Sequence, residues 1–195
     1  MRHVLLVFVG CGLLIASCVA AIAAPITSGV FFEFGFSDPG VAATGCDPAD
    51  PSGPFCIPSS GTLTQFAPAP PWTFLAASGA TLTVTDAFIS GDRFEIFDFG
   101  ASIGLTSAPA ASGGADCGDD PVVCLATPGI SNGAFALGAG PHAITIVPTL
   151  SPDGGGSGYL RVDGATAAVP EPTSVLLLLL SGLALTVGAA RHRFI

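Results

Sequence analysis

Between residues 24 and 168 the apolar side chains return at every second position, and this constrains the fold more than any other feature. Val30, Phe32, Phe34 and Phe36 alternate with Phe31, Glu33 and Gly35. Leu82 and Val84 alternate with Thr81, Thr83 and Thr85, and Phe94 and Ile96 with Arg93, Glu95 and Phe97. The same period marks Ile144 and Ile146 around Thr145, and Leu160 and Val162 around Arg161. A period of two puts one set of side chains on each face of a strand, whereas an amphipathic helix needs 3.6. Asp98-Phe99-Gly100 is a tight hairpin turn into the strand over 101–106, and 138–141 joins strands over 133–137 and 143–147. With 26 Gly and 17 Pro, short strands and turns are favoured over long helices.

Eight or nine short strands follow from this pattern, with no amphipathic helix of useful length. The expected fold is all-β, an antiparallel β-sandwich of jelly-roll-like form. Residues 38–71 are expected as loop broken by a strand over 62–66, and residues 116–128 and 151–158 as two further loops. The alternation assigns Glu33 and Glu95 to the wet face of the sheet.

The two ends of the chain are different in kind. Arg2 and His3 precede an apolar run over 4–16, and Ala21-Ile22-Ala23 supplies a small-residue cleavage site. Residues 1–23 are therefore expected to be a signal peptide, leaving an extracytoplasmic domain over 24–168. Ile15-Ala16-Ser17-Cys18 offers a competing lipoprotein-type box, with Cys18 as the lipidated residue. At the other end, residues 173–190 carry no charge, and as a helix they span about 27 Å, close to a hydrocarbon core. Arg191, His192 and Arg193 follow at once, and basic residues prefer the cytoplasmic side. The expected topology is body outside, helix in the membrane and basic tip inside.

Immediately before that helix stands Val169-Pro170-Glu171-Pro172. The order Pro-Glu-Pro, apolar helix, basic cluster over 169–195 resembles the PEP-CTERM sorting signal of exported bacterial proteins. The resemblance implies that Pro170, Glu171 and Pro172 form the sorting motif and that Arg191 and Arg193 form the basic stop. It further implies recognition by exosortase, a membrane-embedded transpeptidase-like enzyme, with removal of the helix. Proteins of this kind are associated with exopolysaccharide, biofilm and floc. The stretches around 90–107, 133–148 and 158–163 are similar to the bodies of many such proteins, a likeness that assigns no activity. No sortase motif is present, and the polar spacer is too short for a GPI signal.

The body holds Arg93 and Arg161 against thirteen acids, a formal charge of −11, and Lys is absent from the whole chain. Such a surface repels phosphate backbones, which argues against nucleic acid as a partner. Four cysteines remain after the signal peptide: Cys46, Cys56, Cys117 and Cys124. Four allow three pairings, and proximity along the chain favours Cys46 with Cys56 and Cys117 with Cys124. An oxidising destination and wide spacing favour disulfides over zinc.

For catalysis the residues offer little. His142, the body's one histidine, sits at a turn entering a strand with no nucleophile elbow in the chain, and is expected to be a solvated turn residue. Carboxylates are numerous enough for a glycosidase pair, but Glu33 and Glu95, the body's only glutamates, both alternate with apolar neighbours on strands. The chain is expected not to be an enzyme, with a secreted carbohydrate-active hydrolase as the alternative. No cofactor is expected apart from calcium: Asp116, Asp119 and Asp120 crowd one loop, and Asp92, Asp98 and Asp153 lie at other turns. Trp72 and Tyr159 are the rings that a sugar could stack on, although a lone Trp more often packs at a core's rim. The expected role is an exported, membrane-anchored and then surface or matrix protein, structural or adhesive, with exosortase, the export machinery and polysaccharide as partners.

Overall fold

The computed structural model describes residues 25–166, and their fold is all-β apart from one six-residue helix. Ten strands form in chain order: β1 (Phe31–Phe36), β2 (Thr64–Phe66), β3 (Trp72–Asp86), β4 (Phe88–Ile89), β5 (Arg93–Asp98), β6 (Ala101–Leu105), β7 (Asp116–Gly118), β8 (Asn132–Leu137), β9 (Gly140–Leu150) and β10 (Gly156–Thr166). Helix α1 (Pro121–Ala126) lies between β7 and β8. The main sheet runs β2-β1-β10-β3-β9-β5-β6, with β8 paired to β3 beside β9, and β4 pairs with β7 separately. Every pair is antiparallel except β1 with β2, which is parallel.

One face of this sheet carries the core. Phe32, Phe34 and Phe36 from β1 meet Trp72 and Phe74 from β3, Phe94 and Ile96 from β5, and Leu160 and Val162 from β10. Three strands separate β1 from β5 in the sheet, yet the Phe36 and Phe94 rings lie 4.9 Å apart, edge to face. The sheet therefore curls until its own inner face closes on itself. Full burial of each such side chain contributes roughly 1.5–3 kcal/mol.

Strand β3 extends well beyond the strand that the Leu82–Val84 alternation marks. Ser78-Gly79 resembles a turn in sequence, but the chain only bends there. Gly79 and Gly164 both have positive φ where the β3–β10 register shifts, and a Cβ on Gly164 would meet the Gly79 carbonyl. The hairpin at Phe99-Gly100 forms as expected, with positive φ at both residues. The loop over 116–128 contains β7 and α1, which alternation could not reveal. Asp120 caps α1 and Pro121 starts it, a local signal present in the sequence.

Both expected disulfides are present, Cys46–Cys56 and Cys117–Cys124, with Cα separations of 5.7 and 4.8 Å. They tie down the two segments that cover the outer face of β1 and β10. Gly35 is where the first segment lies flat, since any Cβ there would collide with Pro54. As a result all six residues of β1 are buried, on both faces.

The fold has two distinct ends. At one end, the base, Ile26 bonds to Thr73 and Gly29 to Val162, while Thr166 pairs with Leu75. Both limits of the described chain therefore lie together there. At the other end, the tip, β3 finishes at Asp86, β5 starts at Arg93 and β10 starts at Gly156. No helix among the described residues is long and apolar enough to cross a membrane. The signal peptide over 1–23 with Cys18, the motif Pro170-Glu171-Pro172, the helix over 173–190, and Arg191 and Arg193 lie outside the described residues.

Candidate functional site

Buried carboxylates gather at the tip and under the disulfide-clipped cover, and they are the unusual chemistry of this domain. Glu33 projects from the outer face of β1, where alternation places a solvated residue. It is instead fully enclosed, because the cover lies over it. Neither carboxylate oxygen completes a hydrogen bond. Burial pushes its pKa up to about 7; Ser157 and the Ile57 backbone lie close enough to soften that rise, and the Asp119 charge adds to it.

The cover is stitched together by the acids that the sequence offers to calcium. The Asp119 carboxylate accepts from Ser60 N at 3.0 Å and Ser60 Oγ at 2.7 Å. Asp120 accepts from Val122 N at 2.9 Å and Thr62 N at 3.1 Å, and Asp116 from Gly118 N at 2.9 Å. Asp119 and Asp120 thus spend both oxygens on a backbone turn or on the neighbouring loop, and Asp116 spends one on its own turn. Beneath them the Tyr159 hydroxyl donates to the Asp119 carbonyl at 2.7 Å. Burial pushes that phenol well above the usual tyrosine range, and the charges of Glu33, Asp119 and Asp120 add to the effect.

At the tip, Asp86 ends β3 on the same face as Leu82 and Val84, and Asp92 precedes β5 on the face of Phe94 and Ile96. Asp86 is fully buried: Oδ1 accepts from Ala87 N at 2.9 Å, and Oδ2 has no partner. Asp92 is 7% exposed, and its Oδ1 also has no partner. Burial pushes Asp86 up to about 8, with the Asp92 charge adding to it. Burial likewise pushes Asp92 up to about 6, with Asp153 adding to it. Asp92 and Asp153 line a cavity of about 250 Å³ together with Phe88, Gly155 and Ser157.

The other sequence candidates fall elsewhere. Glu95 is on β5, separated from β1 by β10, β3 and β9, and accepts from Ser102 Oγ at 2.6 Å. Glu33 and Glu95 therefore do not form a pair across a cleft. His142 is buried rather than solvated, because its ring packs against Phe74 at 5.2 Å. Its Nδ1 meets Asp98 Oδ2 at 2.7 Å and its Nε2 meets the Gly138 carbonyl at 3.0 Å. Both ring nitrogens are engaged by acceptors, so neither faces a nucleophile. Trp72 and Tyr159 are fully buried, with the indole N–H on the Pro68 carbonyl, so neither ring can stack on a sugar. Glu33 also lies beside Cys46 and Cys56 with candidate ligand atoms within 4.8 Å of one another. Those sulfurs are joined in a disulfide and are not thiolate ligands.

No protein-family model, curated protein or solved structure matches the chain, so its functional reading rests on its own residues.

Proposed function

We propose that this chain is an exported surface protein, held at the membrane by its tail and then sorted to the cell surface or extracellular matrix. Its β-domain, a jelly-roll-like sandwich on this reading, serves there as a structural or adhesive component in contact with polysaccharide. The observation that carries the proposal is the placement of the chain ends. Strand β10 pairs with β1 on one side and β3 on the other, and it ends at Thr166, three residues before the Val169-Pro170-Glu171-Pro172 segment. A tether there would load a doubly paired strand, with the base toward the membrane and the tip away from it. Two disulfides suit an oxidising compartment and brace the cover at the far end. Phe55, 82% exposed on the Cys46–Cys56 loop beside exposed Ile57, offers an apolar contact surface.

The experiment is intact-mass measurement of the surface form in a host that has exosortase. The wild-type chain is expected to end near Pro172 and to lack Leu176–Leu180. Replacing Pro170-Glu171-Pro172 with alanines is expected to leave the helix attached and the protein in the inner membrane, because the prolines keep the motif extended and out of the helix. A wild-type surface form still carrying Arg191–Ile195 would overturn sorting and leave a plain anchor. In a parallel polysaccharide pull-down, binding without turnover supports the adhesive role, and turnover would move the protein to the hydrolase alternative.

A further inference from the structure

The tip poses a problem of charge that the described chain does not solve internally. Asp86 and Asp92 point into the same end of the fold, both are more than nine-tenths buried, and each leaves one carboxylate oxygen without a partner. The Asp92 charge lies close enough to act on Asp86, and Asp153 acts on Asp92 in turn. Their surroundings supply no cation. Lys is absent from the sequence. Arg161 is bound to Asp163 at 2.9 Å on β10, and His142 to Asp98 near the base. Arg93 follows Asp92 in sequence, so its side chain leaves the strand on the opposite face, where Nε donates to the Thr106 carbonyl at 3.0 Å.

What surrounds these carboxylates is oxygen and open volume. The Ser151 hydroxyl lies beside Asp92, and its Oγ likewise has no hydrogen-bond partner. The cavity of about 250 Å³ opens between the 87–89 segment and the turn over 153–157, with Asp92 and Asp153 on its wall. Asp153 stands at the exposed rim, where Oδ2 accepts from Ser112 Oγ at 2.7 Å. Asp92 on the inner wall, Asp153 at the rim, the Ser157 hydroxyl and room for water make a set of hard oxygen ligands, with Asp86 and Ser151 next to Asp92 but off that wall. A glycine-rich turn gives that set loose geometry, which suits calcium, with its six to eight flexible ligands, better than magnesium with its strict octahedron.

We propose that the tip cavity is a divalent-cation site selective for calcium, with Asp92 as its inner ligand, Asp153 completing it through water, and the Ser157 hydroxyl and glycine-rich turn supplying further oxygens beside them. The site is distinct from the Asp116, Asp119 and Asp120 loop, whose carboxylates are already committed to backbone and serine donors. It does not depend on the export reading, since a cation is required wherever the two buried carboxylates are to be ionised together. A site with two carboxylates on its wall and solvent access belongs with the weak extracellular class, with Kd of about 0.1–1 mM.

The test is equilibrium dialysis of the purified full-length chain against radiolabelled calcium chloride at neutral pH, beside thermal melts with calcium and with EDTA. The wild type is expected to bind one calcium per chain and to melt higher with calcium. Asp92→Asn is expected to bind at least roughly tenfold more weakly, through loss of an inner charged ligand. An Asp116→Asn control is expected to bind like the wild type. Because Asn keeps the size of Asp and removes buried charge, an EDTA melt of Asp92→Asn at or above the wild-type temperature establishes that the variant is folded. Absence of saturable binding by the wild type would overturn the site. So would equal binding by Asp92→Asn, or loss of binding in Asp116→Asn alone.

Discussion

Replacing Glu33 with glutamine tests whether an enclosed, unpartnered carboxylate burdens this fold at neutral pH. Glu33 has no hydrogen bond to either oxygen, and burial raises its pKa from 4.5 to about 7. The folded state therefore holds a proton that the unfolded chain releases at lower pH. Stability is unaffected below about pH 4.5, falls as pH rises from there, and bears the full cost above about pH 7. The raised pKa corresponds to roughly 3 kcal/mol. Solvent in the neighbouring cavity, which Ile57 and Ser157 help to line, reduces this to about 2 kcal/mol. Glutamine removes the titration but leaves an amide short of partners, at a cost of about 1 kcal/mol. Glu33→Gln is thus expected to be more stable than wild type by about 1–2 kcal/mol at pH 8 and no more stable at pH 4. For a domain of this size that is roughly 2–6 °C in Tm at pH 8. The assay is a set of thermal melts from pH 4 to 9 in EDTA, read as the difference between variant and wild type, so that the titrations of Asp86 and Asp92 cancel. A difference that is flat with pH, or a variant less stable at pH 8, would refute the reasoning.

Phe34→Ala is expected to cost about 3–5 kcal/mol, because the ring is fully buried against Trp72 at 5.7 Å and Phe94 at 5.6 Å. Exposed Phe99→Ala should stay within about 0.5 kcal/mol, and urea unfolding midpoints compare the two. The Cys46→Ser/Cys56→Ser variant is expected to lose about 2.5–3 kcal/mol, and Cys117→Ser/Cys124→Ser, which opens the shorter loop, a few tenths less. Peptide mapping of the wild type without reduction should recover both of these links and no crossed ones.

Most of the sheet is legible from period-two alternation, and its misreadings share a cause. Alternation reports two faces but not what covers them. At Phe32, Phe34 and Phe36 it identifies the core face correctly. At Glu33 it assigns water to a face that a disulfide-braced segment seals, and nothing local to Glu33 announces this. Gly35 is the trace that sequence does carry, since it is the position at which Pro54 comes too close for a side chain. His142 is misread for a related reason: its partners Asp98 and Phe74 come from other strands. The acids of 116–120 are visible as a crowd, but their bonds to residues 60–62, far away along the chain, are not. Asp86 and Asp92 are six apart, and they come together because only the short 87–91 segment joins the end of β3 to Asp92 at the start of β5.

The disulfides and the buried acids are two sides of one arrangement. A carboxylate enclosed without a partner favours any motion that returns it to water, and Glu33 lies directly beneath the segment that would have to move. Local opening of that segment would hydrate Glu33 at the expense of few apolar contacts, since Phe55, Ile57 and Leu63 are already exposed. Hydrophobic burial is therefore a weak restraint on the cover. Covalent closure of Cys46–Cys56 and the bonds from Asp119 and Asp120 to residues 60–62 restrain it instead. Asp86 and Asp92 are braced at one remove: the segment over 87–91 that joins them carries no disulfide of its own, but it pairs through β4 with β7, which holds Cys117, and Ser90 bonds to Ala111 and Ala115. A further restraint there is electrostatic: protons on both carboxylates below about pH 6, or at neutral pH a cation that draws Asp92 and the 151–155 turn onto itself. The domain can thus keep its base firmly folded by core packing while its tip tightens or loosens with the ions around it.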